Sequence, residues 1–264
     1  MKLKKVLAFA QSALFKHDAY ARLMLVDGVR FTIAEQMMRI IYPRFKMSDF
    51  GNSFMFDREF LRYYESFEGK GHYRTLDRKY MLDQLMRLTD DLEGDTVECG
   101  VWAGATSYLI CKHITKVPNG PKKTHHIFDS FEGLSTLKAT DGSFWTEGDL
   151  AVGEAIVRRN LREFDFVQYY KGWIPDRFVD VADKQFSVVH IDVDLHQPTL
   201  DSITFFYPRM VPGGLIVCDD YGSITCPGAT KAIDDFMADK PEKIIQLTTA
   251  QSLIVKSPLS KSKN

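Results

Sequence analysis

Residues 190–222 read HIDVDLHQPTLDSITFFYPRMVPGGLIVCDDYG. Two short apolar runs lie in this stretch, and each stops at a pair of carboxylates: Asp192 with Asp194, then Asp219 beside Asp220. The run SVVHI just before the first pair is almost continuously apolar, as expected of a strand covered on both faces in a parallel sheet. Between the runs, PTLDSITFFYPRMV has the length and pattern of a crossover helix. Strand, acid-bearing turn, helix and strand together predict a βαβ unit. The four acids then fall where ligands of such sheets bind, outside the carboxyl ends of the strands.

The same unit repeats toward the N-terminus. TVECGV and HHIFDSF read as strands separated by the helix ATSYLICKHITKV. FDFVQYYKG supplies a third strand, IPDRFVDVA a short helix, and FSVVHIDVD and GGLIVCDDY the fourth and fifth strands. After a helix over CPGATKAIDDFMADKP, the strands KIIQLTT and QSLIVKS lie too close together for a crossover, so they must meet antiparallel. The expected fold is α/β: a Rossmann-like, mostly parallel sheet with an antiparallel C-terminal hairpin, preceded by helices. Residues 1–94 form an N-terminal helical region, with FTIAEQMMRIIYPRF, DREFLRYYESF and RTLDRKYMLDQLMRLTDDL as its helices. This region fits simple packing, an oligomer contact or a lid. Residues 95–256 form the core, and 257–264 a polar, frayed tail.

A net charge of -1 over 264 residues argues against a nucleic-acid partner, which clustered Lys and Arg would recognise. No apolar run reaches the roughly 20 residues of a transmembrane helix. The basic start MKLKKVLAFAQSALFKHDAY reads as a packing or surface helix without a convincing cleavage site. Cys99, Cys111, Cys218 and Cys226 form no CxxC pair and read as reduced, mostly buried thiols, which points to the cytoplasm.

In VECGVWAGATS, Gly100 and Gly104 shape the turn between the first strand and its helix, whose free N–H groups, near Thr106, face the crevice. GxxxG replaces the dinucleotide GxGxxG. Glu98, at the end of that strand, suits an ammonium group rather than a pyrophosphate. Asp129, followed by Ser130, ends the second strand, where a carboxylate accepts two ribose hydroxyls. An ammonium and a ribose together point to S-adenosylmethionine as cofactor. Glycines that merely permit the turn, and an Asp129 or Ser130 that caps its own turn, are the competing readings. DGSFWTEGDL forms a polar loop in which Ser143 could reach an adenine nitrogen while Phe144 and Trp145 pack a ring or anchor the loop. Trp102 and Trp173 stand on opposite sides of the crevice.

Side chains two apart on a strand point the same way, so Asp192 and Asp194 share a side if the chain is still extended. Asp219 and Asp220 converge only if a turn intervenes. Crowded carboxylates repel unless a cation compensates, and an all-oxygen set suits Mg2+. Helix capping by Asp194 or Thr199 is the alternative. His190, inside an apolar strand, reads as a core histidine.

VECGVWAGATS, IFDSFEGL, DGSFWTEGDL, KGWIPDRF, HIDVDLHQPTLDS and PGGLIVCDDYG, in this order, resemble the metal-dependent S-adenosylmethionine O-methyltransferases of the macrocin (TylF) type, over about residues 70 to 256. The resemblance implies a class I methyltransferase fold, a homodimer or higher homo-oligomer, and methylation of a hydroxyl on a glycosylated natural product. It implies that Asp192, Asp219 and Asp220 hold Mg2+, that Asp194 reaches the acceptor hydroxyl, and that Glu98, Gly100 and Asp129 line the cofactor site. Gly104, Thr106, Ser130, Ser143 and Asp192 complete the candidate cofactor contacts. Asp194 is the candidate general base, with His196 its rival. A catechol or polyphenol acceptor meets the same metal chemistry, and a cofactor-binding scaffold without turnover would keep the same fold. A nicotinamide enzyme is disfavoured by the missing glycine signature.

Overall fold

Strands β1 (Asp95–Cys99), β2 (His125–Asp129), β3 (Val167–Lys171), β4 (Phe186–Ile191) and β5 (Met210–Cys218) pair in parallel. Two further strands, β6 (Ile245–Gln246) and β7 (Ser252–Val255), pair antiparallel to each other, and β7 pairs antiparallel to β5. The order across the sheet is β3-β2-β1-β4-β5-β7-β6. This is the Rossmann-like class I methyltransferase architecture, with the C-terminal hairpin and preceding helices that the sequence predicts. The computed structural model describes residues 33–43, 54, 57–68, 75–118 and 120–258. The expected N-terminal helix in 1–20, most of the tail and part of the 50–73 segment lie outside them.

The chain divides into two compact units, Met1–Leu61 and Arg62–Asn264. That division falls well before the expected boundary at 94. In the first unit, residues 33–41 are helical and carry an Arg39–Glu35 ion pair of 2.7 Å one turn apart. Helix α1 (Arg58–Glu68) crosses the division, and α2 (Leu76–Met86) belongs to the second unit.

Four more helices follow: α3 (Ala105–Lys116), α4 (Glu154–Asn160), α5 (His196–Phe206) and α6 (Pro227–Met237). Helix α4 is an element that the sequence reading passed over, because EAIVRRN spans only two turns and is half charged. The expected helix over 174–182 is a single 3-10 turn at Phe178–Val181.

Alternation along the strands sorts side chains to two faces. Val97, Cys99, Val189, Ile191, Ile216 and Cys218 enter the larger core with Ile203, Phe206 and Ile233 of α5 and α6. On the opposite face, Leu215 and Val217 pack with Leu82 and Met86 of α2 and Ile110 of α3. Several strand positions on this second face are polar instead: Thr96, Glu98, His125 and His190 are all buried. Register places Thr96 beside His125 and Glu98 beside His190, so four polar side chains share one buried patch.

From β1 the chain moves out to β2 and β3, then returns past β1 to β4 and β5. The order therefore reverses between β1 and β4, which is where open α/β sheets form their ligand crevice. The two strands separate just above Cys99 and Ile191, where Asp192 N–H still donates to the Cys99 carbonyl at 2.9 Å.

Candidate active site

A cavity of about 490 Å3 opens at this reversal, within the range of small-molecule sites. Its wall includes Gly100, Asp129, Ser130, Asp192, Asp194, Asp219 and Asp220 among the residues that the sequence singled out. Glu98, Gly104, Thr106, Ser143 and His196 do not line it.

The four acids do not sit on extended chain. β4 stops at Ile191, and Asp194 adopts a left-handed φ of 59°, so Asp192 and Asp194 are placed by a turn rather than by shared strand geometry. After Cys218 a turn does intervene, as expected, and brings Asp219 and Asp220 to the same crevice. Asp192, Asp219 and Asp220 offer oxygens all within 4.8 Å of one another. Neither Asp194 nor Thr199 caps α5 through its side chain. The helix starts at His196, whose N–H donates to Asp141 Oδ1 at 2.7 Å, while the Thr199 hydroxyl donates back to the Leu195 carbonyl. Asp194 is held otherwise: its N–H donates to Asp220 Oδ2 at 3.0 Å, and the Cys226 thiol donates to its Oδ1 at 3.3 Å. Trp145 Nε1–H in turn points at Cys226 Sγ from 3.4 Å.

The protein serves these carboxylates unequally. Asp219 Oδ1 accepts from Gln251 Nε2 at 2.6 Å and lies 3.5 Å from His190 Nε2, and its Oδ2 accepts from Arg78 Nη1 at 3.0 Å. Burial would raise its pKa, but the His190, Lys79 and Arg78 charges outweigh burial and hold Asp219 well below the ordinary carboxylate range. Burial, and then the neighbouring acids, push Asp192, Asp194 and Asp220 upward. Such a raised set binds a proton or a cation.

His190 is the buried core histidine that the apolar strand suggested, and it lies between two carboxylates. Burial alone would lower its pKa, yet Asp219 and Glu98 raise it to about 10, so it is charged at neutral pH. Its Nδ1 lies 3.3 Å from Glu98 Oε1, close enough for an ion pair but without hydrogen-bond alignment. Glu98 itself accepts from Ser107, and Ser107 Oγ lies 3.0 Å from His125 Nε2, whose Nδ1 meets Thr96 Oγ1 at 2.9 Å. A continuous polar chain thus runs from Thr96 under the sheet to Asp219. The Glu98 carboxylate is spent inside it, so the expected ammonium contact at the cavity is not where its oxygens point.

Of the two readings made of Asp129, its hydrogen bonds are those of the turn-capping one. Val101 N–H donates to its Oδ2 at 2.8 Å and Phe131 N–H to its Oδ1 at 2.6 Å, so the carboxylate braces the Gly-rich turn after β1 and its own turn after β2. Gly100 has a φ of +79°, and a Cβ there would come within 1.9 Å of the Asp192 carbonyl oxygen. The closeness of the two turns therefore requires glycine. Five non-glycine residues among those described also hold positive φ, and three of them, Trp102, Leu150 and Asp194, line the cavity.

Sequence reasoning missed Arg78, Lys79, Cys226, Asp141 and Gln251. Arg78 and Lys79 resemble the solvated face of α2, but both line the cavity, and Lys79 Nζ donates to Thr106 Oγ1 at 2.7 Å. Gln251 carried a usable signal: it precedes the reversed strand β7, where Ser252 registers against Cys218. An antiparallel last strand brings that end of the hairpin back to the acids.

The family described as Macrocin-O-methyltransferase (TylF) matches residues 70–248, more than half of the chain. The demethyldecarbamoylnovobiocin O-methyltransferase of Streptomyces niveus is 31% identical over 164 residues, covering 56% of this chain and 60% of that protein. The 8-demethyl-8-(2,3-dimethoxy-alpha-L-rhamnosyl)-tetracenomycin-C 4'-O-methyltransferase of Streptomyces olivaceus is 30% identical over 153 residues, covering 54% and 58%. The chain thus spans about three fifths of the length of these relatives. Among solved structures, the O-methyltransferase NovP superposes with a TM-score of 0.58 at 28% identity, over 69% of this chain and 81% of that one.

Proposed function

The chain belongs to the macrocin O-methyltransferase (TylF) family, and on that premise we propose that it transfers the methyl group of S-adenosylmethionine to a hydroxyl of a sugar or glycosylated natural product. The observation that carries this reading is the acid cluster at the sheet reversal, in one cavity with the Gly100 turn and Asp129. One relative is named for a rhamnosyl acceptor, which supports a sugar hydroxyl as the target.

The cofactor supplies a methyl already activated by its sulfonium, so the protein has to align that carbon with an oxygen and remove a proton. Asp129 and Ser130 hold the ribose side, and the Gly100 turn admits the amino-acid side. Lys79, beside Thr106 at the first turn of α3, offers a positive charge for a carboxylate. Asp192, Asp219 and Asp220 would hold Mg2+, which lowers the pKa of a bound hydroxyl. The donor set fits a hard ion: its ligand atoms are all oxygens, and the thiol nearby, Cys226, stays protonated because burial pushes its pKa to about 12. The neighbouring acids raise the pKa of Asp192 and Asp220, a repulsion that a bound cation would relieve. Asp194, with a pKa raised by burial and by Asp192, takes the hydroxyl proton as general base. The His196 backbone is engaged by Asp141 and its ring is off the cavity wall, which favours Asp194 over His196. A homo-oligomer in the cytoplasm completes the proposal; the four free, buried cysteines fit a reducing compartment.

The test measures S-adenosylhomocysteine formation with a panel of glycosides and simple catechols, with and without chelator, for the wild type, Asp192→Asn and Asp194→Asn. Turnover on glycosides, abolished by chelation, is expected. Excess Mg2+ should recover part of the Asp192→Asn rate, whereas Asp194→Asn should stay about 100-fold slow at any Mg2+ concentration. Full activity after chelation would refute the metal assignment, and turnover on catechols alone would reassign the acceptor.

A further inference from the structure

We propose that Arg78 and a divalent ion are alternative partners of the same oxygen of Asp219, so that loading the ion expels the guanidinium and loosens the first turn of α2. The inference rests on the reading of Asp192, Asp219 and Asp220 as ion ligands.

The two oxygens of Asp219 are not equivalent. Oδ1 faces donors fixed to the sheet, Gln251 Nε2 at 2.6 Å and His190 Nε2 at 3.5 Å. Oδ2 is the oxygen left for a ligand, and Arg78 Nη1 already holds it at 3.0 Å. The same Nη1 lies 3.9 Å from Asp220 Oδ1, so the guanidinium reaches toward two of the three carboxylates assigned to the ion. By contrast the Asp192 carboxylate accepts no hydrogen bond from any described residue, although it faces Asp219 and Asp220 closely enough to share an ion with them. A hard ion needs its oxygens at about 2.0 to 2.1 Å, and a guanidinium on the same carboxylate oxygen puts like charges side by side.

Arg78 has somewhere to go and Lys79 does not. The Arg78 side chain keeps 19% of its surface exposed, whereas Lys79 is buried and donates to Thr106. Thr75, at the N-cap of α2, makes no side-chain capping bond, and the turn that carries Arg78 is tied instead by Arg78 N–H to Asp77 Oδ1 at 2.9 Å, by Thr75 N–H to the Tyr64 hydroxyl at 3.1 Å and by the Arg78 guanidinium itself. The Arg78–Asp219 contact is therefore one of the ties that fasten the start of α2 over the acids. Removing it lets the ion in and frees the turn, two consequences of one exchange.

The experiment uses the full chain, with Mn2+ alone as probe and neither cofactor nor acceptor. Mn2+ affinity is measured by electron paramagnetic resonance for the wild type, Arg78→Gln, Arg78→Lys and Asp192→Asn, and hydrogen exchange is followed over residues 75–86 with and without Mn2+. Arg78→Gln should bind Mn2+ about tenfold more tightly than the wild type, and Arg78→Lys less tightly than Arg78→Gln. In the wild type, Mn2+ should speed exchange in the first turn of α2; in Arg78→Gln exchange should be fast already and unmoved by Mn2+. Equal or weaker binding by Arg78→Gln, or slower exchange in the wild type with Mn2+, overturns the inference. If Asp192→Asn abolishes binding while Arg78→Gln leaves it unchanged, this inference alone fails. If no form binds Mn2+, the metal reading fails and takes the inference with it.

Discussion

Gly100→Ala tests whether the first strand's turn and the acid turn are packed as tightly as the distances say. Two costs add. The alanine must hold a φ of +79°, which disfavours any L side chain by about 1 to 2 kcal/mol. Its Cβ also meets the Asp192 carbonyl oxygen at 1.9 Å and Val193 Cγ1 at 3.0 Å, and because the first is backbone, the acid turn itself must move. Overpacking of that kind costs about 1 to 3 kcal/mol. Gly148→Ala is the internal control: φ there is +83°, but a Cβ would have nothing within 4 Å, so only the first cost applies. The two variants should then differ by about 1 to 3 kcal/mol, or roughly 2 to 12 °C in Tm for a unit of this size. Differential scanning calorimetry reads the difference. Because the displaced atom belongs to Asp192, Gly100→Ala should also weaken Mn2+ binding, and Gly148→Ala should not. Coincident melting curves would refute the packing argument; a lowered Tm with unchanged Mn2+ affinity would show that the collision is absorbed without moving the ligand.

Two further outcomes follow from buried groups. Complete burial holds the His125 pKa down at about 4, against about 6.5 in an unfolded chain. The unfolded state therefore binds the extra proton, so the His125 contribution to stability is full above about pH 6.5 and is lost as pH falls toward 4, by about 3 kcal/mol in all. Urea titrations of the wild type and His125→Gln across that window should diverge in slope, and parallel curves would show that His125 is not neutral in the fold. Asp129→Ala should weaken S-adenosylmethionine binding roughly 5- to 150-fold by calorimetry, from about 1 to 3 kcal/mol of unpaired hydrogen-bonding groups; an unchanged Kd would leave Asp129 with its bracing of Val101 and Phe131 alone.

The succession of strands along the chain and the four acids were readable because both depend on local pattern: apolar runs of strand length, crossover helices between them, and carboxylates where the runs end. The spacing of KIIQLTT and QSLIVKS even set the direction of the hairpin, since the single residue between them cannot make a crossover. What stayed hidden depends on which way a polar side chain turns after the layers meet. Arg78 and Lys79 have the sequence of a solvated helix face, and only the packing of α2 over the sheet turns them onto the acids. Glu98 was placed on the right strand end, but its register beside His190 and the approach of Ser107 from α3 decide that its oxygens face inward. The charge on His190 is likewise a tertiary property, made by two carboxylates distant in sequence. Asp194 looked extended because the residues before it are, and the left-handed turn that reorients it has no glycine to announce it.

That turn belongs with Trp102 and Leu150, which hold positive φ on the same cavity wall. Each such residue stores about 1 kcal/mol or more of backbone strain, which glycine would relieve. A library selected only for heat tolerance would accordingly drift toward glycine at 102, 150 and 194, and its survivors would mark out the cavity without any activity having been assayed. The same drift would erase an indole, an isobutyl group and a carboxylate from the wall, so robustness and turnover pull this chain in opposite directions at three known addresses.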